Sequence, residues 1–155
     1  MLQQGEKAPD FSGINQNGKA VNLSDFKGKR IILYFYPKDN TPGCTAEACS
    51  LNDKNNFFLS KGFVVIGVSA DSVGSHKTFG EKYNLEFSII SDPERQIIDL
   101  YGVWGEKKNY GKTYMGLIRT TFAISADGII EKVFPKVDTK NHAEQIIKAL
   151  CIDFS

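Results

Sequence analysis

An unbroken apolar run, Ile31-Ile32-Leu33-Tyr34-Phe35-Tyr36, closes at Pro37, and a second run at 63–69 is interrupted only by Gly67. Short continuous runs of this kind predict buried strands over 31–36 and 63–69. Thr41 and Pro42 between them are a good N-cap and first-turn residue, which predicts a helix over about 42–60. Beyond the second strand, Phe79 and Tyr83 share one face of a helix predicted over about 75–83, followed by a short strand at 87–90. Ser91-Asp92-Pro93-Glu94 opens a short helix through Ile97, Ile98 and Tyr101. The glycine-containing stretch 102–116 reads as a loop. Strands at 120–124 and 129–134 follow, joined by the hairpin signal Asp127-Gly128, and a last helix covers about 141–150. A turn at Asn17-Gly18 marks the N-terminal segment. The βαβ start and hairpin finish predict an α/β fold with a mixed sheet flanked by helices. In such folds chemistry gathers beyond the carboxyl ends of the strands, where residues 37–49 lie.

Composition narrows the classes. A chain of 155 residues, 41% hydrophobic, fits one globular domain over 1–155 with a real core. Nineteen basic against eighteen acidic residues leave a net charge of +1, which gives no electrostatic case for nucleic acid or an anionic membrane as partner. The lysines of Lys107, Lys108 and Lys112 read as a solvated surface. With neither an apolar stretch of roughly 20 residues nor the basic and apolar regions of a signal peptide, the expected location is a reducing cytoplasm. Three cysteines there are too few for a disulfide scaffold and read as reactive or buried thiols.

The chemistry concentrates in Thr41-Pro42-Gly43-Cys44-Thr45-Ala46-Glu47-Ala48-Cys49. Cys44 falls at the third helical residue, where unpaired backbone N–H groups and the positive end of the helix dipole favour an anion. Thiolate is the reactive form of cysteine. Cys49 lies five residues on, about 8.7 Å away between Cα atoms on an ideal helix. A disulfide needs less than about 7 Å, so the first turns must unwind if the two ever join. Ser50, Asn52, Asp53, Asn55 and Asn56 are poor helix formers, which keeps that cost modest.

Other candidates carry two readings each. C-x4-C is within zinc-ligand spacing, but His76 and His142 lack paired-ligand spacing, which disfavours a metal. Thr41 is an N-cap whose hydroxyl faces the Cys44 sulfur and can also bond a substrate oxygen. Glu47 is either an ordinary solvent-facing residue or a carboxylate one turn beyond Cys44 that requires a cationic neighbour. Arg119, just before the strand at 120–124, either caps the sheet edge or reaches over Cys44. Cys151 follows the apolar residues Ile146, Ile147 and Leu150 and reads as structural; His76 and His142 read as surface residues at helix starts. Trp104 fits core or loop equally.

Pro37-Lys38-Asp39-Asn40-Thr41-Pro42-Gly43-Cys44 resembles the P-x-x-x-T-x-x-C signature of peroxiredoxins. Cys44-Thr45-Ala46-Glu47-Ala48-Cys49 resembles the peroxiredoxin Q or bacterioferritin comigratory protein branch, and the likeness extends to Ala8-Pro9-Asp10-Phe11, Gly67-Val68-Ser69-Ala70-Asp71 and Arg119-Thr120-Thr121-Phe122. The resemblance implies a thioredoxin-like fold and reduction of hydrogen peroxide and organic hydroperoxides by a peroxidatic Cys44. It implies that Cys49 resolves the oxidised Cys44 and that thioredoxin regenerates the enzyme. Pro37 then shields the site, Thr41 and Arg119 orient and polarise the peroxide, and Glu47 supports Arg119, with no cofactor. With both redox cysteines in one helix, a monomer is expected. The rival readings are a general thiol-disulfide oxidoreductase, disfavoured by the lack of C-x-x-C, and a redox sensor.

Overall fold

In a computed structural model, which describes residues 1–153, a seven-stranded sheet forms the centre. Its strands are β1 (Ser12–Asn15), β2 (Ala20–Asn22), β3 (Arg30–Phe35), β4 (Phe63–Ser69), β5 (Ser88–Ser91), β8 (Thr120–Ile124) and β9 (Ile130–Phe134), and β6 (Trp104–Asn109) with β7 (Lys112–Leu117) forms a separate ribbon. The sheet order is β2-β1-β5-β4-β3-β8-β9. β3, β4 and β5 run parallel, while β1, β8 and β9 join antiparallel, so the sheet is mixed as the element order predicts.

The period-2 geometry of β3 divides its apolar run between two cores. Ile31, Leu33 and Phe35 face a cluster with helix α4 (Gln96–Tyr101), through Ile97, Ile98 and Tyr101. Ile32, Tyr34 and Tyr36 face the other cluster, built with α1 (Pro42–Asp53), α2 (Asn55–Ser60), α3 (Val73–Tyr83) and α5 (His142–Ala149). Tyr34 pairs across the sheet with Gly67, where a Cβ would lie 2.8 Å from the tyrosine ring. Only glycine lets that ring lie across β4.

Two expectations change. The helix expected over 42–60 is two helices, parted at Lys54, whose φ of −106° and ψ of 9° leave the helical region; the asparagine-rich sequence explains the break. The stretch 102–116 contains the β6–β7 hairpin, turned at Tyr110 and Gly111, both with positive φ. Exposed Tyr114 and Met115 alternate with no buried set, so no apolar periodicity announced it.

Candidate active site

α1 begins beyond the carboxyl end of β3, and its buried residues Cys44, Glu47, Ala48 and Leu51 form an i, i+3, i+4, i+7 stripe against the sheet. That stripe carries the chemistry inward. Cys44 is 1% exposed and Glu47 fully buried, whereas Cys49 lies off the stripe and is half-buried. All three cysteines are unpaired thiols, and α1 is intact from Pro42 through both.

Arg119, in the two-residue link between β7 and β8, reaches across the helix start. Its Nη2 donates to Cys44 Sγ at 3.3 Å and its Nη1 to Glu47 Oε1 at 2.5 Å. One guanidinium fork therefore spans the thiol and the carboxyl, which resolves the alternatives for both Glu47 and Arg119. Gly43 leaves room for it, since a Cβ there would stand 3.2 Å from Arg119 Nη2. Burial opposes the Arg119 charge, but Glu47 and Cys44 beside it raise its pKa nonetheless. For Glu47 burial dominates and pushes the carboxyl up to about 7 against the pull of Arg119. Burial, then Asp53, raises Cys49 above the usual thiol value, so it rests protonated.

Thr41 occupies the N-cap position, but its hydroxyl donates to Lys38 O at 2.9 Å instead of capping the helix. The Gly43 and Cys44 N–H groups thus lack a side-chain cap at the sulfur's end of the helix. Pro37 lies half-buried in the β3–α1 link.

Several residues depart from the sequence reading. His76 and His142 are both fully buried; each gains its burial from partners far along the chain. His76 Nδ1 meets Asp39 Oδ2 at 2.6 Å, and Nε2 meets Ile90 O at 3.0 Å. His142 Nε2 meets Thr121 Oγ1 at 2.7 Å and lies 3.6 Å from Glu47 Oε2. Cys151 is exposed, with a left-handed φ of 54°, because the chain turns off the end of α5 before its side chain can pack. Lys107 is half-buried, its ammonium donating to Leu117 O at 2.9 Å; burial and Arg119 lower its pKa while Cys44 opposes them. It adds a second positive charge near the thiol, a role its lysine-rich context hid. Trp104 opens β6 with Arg95 4.2 Å above its ring.

Among the described residues, one group could offer metal donors: atoms of Asp39, Asp71 and His76 within 4.8 Å of one another. Hydrogen bonds already tie these groups to one another and to their neighbours. Asp39 accepts from Tyr36, Ser75 and His76, and Asp71 from Ser69 and the Asp39 N–H, so the cluster is a hydrogen-bonded tie between the β3–α1 link and α3.

Comparison with known proteins places this constellation. Residues 4–133 match the AhpC/TSA family. The chain belongs to the AhpC/TSA family. Peroxiredoxin Bcp of Bacillus subtilis is 46% identical over 149 residues, covering 96% of this chain and 95% of that protein. Peroxiredoxin Bcp of Escherichia coli K12 is 45% identical, covering 96% of each. Among solved structures, Xanthomonas campestris peroxiredoxin Q superposes with a TM-score of 0.85 at 35% identity, covering 91% of this chain and 89% of that one. A mutant of Xylella fastidiosa PrxQ gives a TM-score of 0.91 at 30% identity over 97% and 96%. The thioredoxin-like fold expected from the resemblance is therefore the fold of this AhpC/TSA protein.

The fork geometry yields a direct test of Arg119. Arg119→Lys keeps the charge but loses the planar fork whose two nitrogens meet Glu47 and Cys44 separately, so the first oxidation by peroxide is expected to slow steeply. Stopped-flow oxidation at the wild-type rate would remove the bridge from the chemistry.

Proposed function

We propose that Cys44 is the nucleophile with which this thiol-dependent peroxidase reduces hydroperoxides, and that Cys49 resolves it. The observation that carries the reading is the single guanidinium of Arg119 shared by Cys44 Sγ and Glu47. The Cys44 thiolate attacks one peroxide oxygen; an S–O bond forms and the O–O bond breaks, so sulfur is oxidised by two electrons as the peroxide is reduced. Arg119 and the N–H groups at the helix start hold the charge that develops on the leaving oxygen, which takes a proton and departs as water or alcohol. Thr41 positions the substrate by its hydroxyl, and Pro37 limits water at the mouth. The Cys49 thiol then condenses with the Cys44 sulfenic acid, releasing water and forming the disulfide. A thioredoxin-type dithiol protein reduces that disulfide. We place the activity in one domain, acting as a monomer in the cytoplasm.

Disulfide formation is incompatible with an intact α1, whose geometry holds the two Cα atoms about 8.7 Å apart. The test couples peroxide consumption to thioredoxin, thioredoxin reductase and NADPH, with mass spectrometry and hydrogen exchange on the oxidised protein. Catalytic turnover, a Cys44–Cys49 bond and faster exchange over 42–51 are expected, with β3 and β4 unchanged. A single stoichiometric oxidation without turnover would point to a sensor instead. The bond without any change of exchange over 42–51 would refute the unwinding step.

A further inference from the structure

We propose that Lys107 is a positioning residue: laid along the β6–β7 ribbon over Gly116, it ties down the link that carries Arg119 and so aims the guanidinium at Cys44. The inference rests on the Cys44–Arg119 reading above and adds to it a residue that acts through Arg119 rather than on the sulfur.

The register of the ribbon sets the geometry. Lys107 pairs with Tyr114 and Gly105 with Gly116, and period-2 alternation puts all four on one face. Two of the four are glycines, which leaves a floor of backbone between Lys107 and the base of the ribbon, where Trp104 pairs with Leu117. The lysine stem lies over that floor: a Cβ on Gly116 would stand 3.2 Å from Lys107 Cδ and 3.4 Å from the Tyr114 ring. At the far end the ammonium donates to Leu117 O at 2.9 Å. Lys107 is accordingly half-buried, whereas its neighbours Glu106 and Lys108 are exposed.

What the ammonium holds is the root of the two-residue link Ile118 and Arg119. The peptide unit between Leu117 and Ile118 is gripped on both sides, its C=O by Lys107 and its N–H by Val103 O at 2.7 Å. The next carbonyl, Ile118 O, accepts the Thr120 hydroxyl at 2.9 Å. The backbone therefore arrives at Arg119 already placed, and the side chain has only to extend to Cys44 Sγ and Glu47. Donors that stabilise developing charge act because they are aimed beforehand, and a displacement of about 1 Å can cost about 100-fold in rate. With the Val103 and Thr120 bonds still in place, losing Lys107 should cost severalfold. The Lys107 charge is a rival cause, since Arg119 repels it and Cys44 attracts it, and the variants are chosen to separate the two.

The test reads Arg119 directly. The chain has three arginines, Arg30, Arg95 and Arg119, so nitrogen NMR of the guanidinium groups in the reduced protein is simple to assign. A fork held at both Nη atoms cannot rotate freely and should give separate Nη1 and Nη2 signals in the wild type. In Lys107→Met those signals should merge, and stopped-flow oxidation by hydrogen peroxide should slow severalfold while closure of the disulfide keeps its wild-type rate. Lys107→Arg, which keeps a cationic donor of similar reach, should restore both. Gly116→Val keeps the charge but blocks the path of the stem, so it should resemble Lys107→Met, and it carries the test if Lys107→Met fails to fold. An Arg119 spectrum unchanged from wild type in both variants would overturn the proposal, whatever their rates. So would a Gly116→Val protein with wild-type spectrum and rate beside a slow Lys107→Met, because charge alone would then be acting. If the wild type turns over no peroxide yet Lys107→Met merges the Arg119 signals, the functional reading fails and the placement of Arg119 by Lys107 stands.

Discussion

Replacing Cys44 by serine is expected to abolish peroxide consumption in the coupled assay, to background. Cys44 at the start of α1 is 1% exposed and its sulfur accepts a hydrogen bond from Arg119, the setting of the proposed nucleophile. A serine hydroxyl in the same place stays protonated, and among the described residues the side chain bonded to that position is Arg119, a donor and not a base. Glu47 cannot serve, because its Oε1 is taken by Arg119 and it points away from solvent. The fold should be unaffected, since serine is nearly isosteric, and the circular-dichroism spectrum checks that. Cys49→Ser should behave differently: one oxidation at the wild-type rate, then accumulation of sulfenic acid on Cys44 and overoxidation at high peroxide. Residual turnover in Cys44→Ser beyond background would transfer the nucleophile's role elsewhere.

Breaking the buried tie at Asp39 is expected to cost about 3 kcal/mol of stability or more, since leaving a buried polar group unsatisfied costs roughly 1–3 kcal/mol and Asp39 serves several. Both ring nitrogens of His76 lie within hydrogen-bond distance of an oxygen, Asp39 Oδ2 at 2.6 Å and Ile90 O at 3.0 Å. Asp39→Ala therefore strands a fully buried ring and also removes the acceptor for the Tyr36 and Ser75 hydroxyls. Burial works against the Asp39 charge, but the bonds from His76 and Tyr36 hold its pKa below the ordinary carboxylate value. The sign follows from that depression: the stabilisation is fully present above the unfolded carboxylate value near 3.9 and is lost as pH falls through the lower folded value. Urea unfolding at neutral pH should show the whole deficit, and the gap between variant and wild type should shrink in acid. Equal midpoints at neutral pH would show the tie contributes nothing.

The parts of the architecture that sequence made visible are those governed by local pattern. The apolar runs of β3 and β4, the Asp127-Gly128 turn between β8 and β9, and the Thr41-Pro42 helix start all depend on neighbours within a few residues. The place of Cys44 in the first turn of α1 was legible for the same reason. The burial of His76 and His142 was not, because it depends on Asp39, Ile90 and Thr121, which only the folded sheet brings near. The fork of Arg119 over Cys44 is a tertiary fact of the same kind. The β6–β7 ribbon escaped because most of its side chains face solvent, although Tyr110-Gly111 with charged flanks was a usable turn signal.

Asn52 joined the residues whose weak helix propensity suggested easy unwinding, yet its side chain donates to Asn84 O at 2.9 Å and accepts the Glu86 N–H at 2.9 Å. Substituting Ala there would therefore remove a tertiary anchor rather than simply stiffen the helix. Together with the break at Lys54 and the deep insertion of Phe58 from α2, that anchor fixes the far end of α1 to the rest of the fold. In the proposed cycle the backbone upstream of it would melt and re-form with each turnover, while the chain downstream stays packed on β4. On that proposal the free-energy cost of each disulfide would be confined to a few turns of one helix, with the rest of the molecule a constant template on which those turns reassemble.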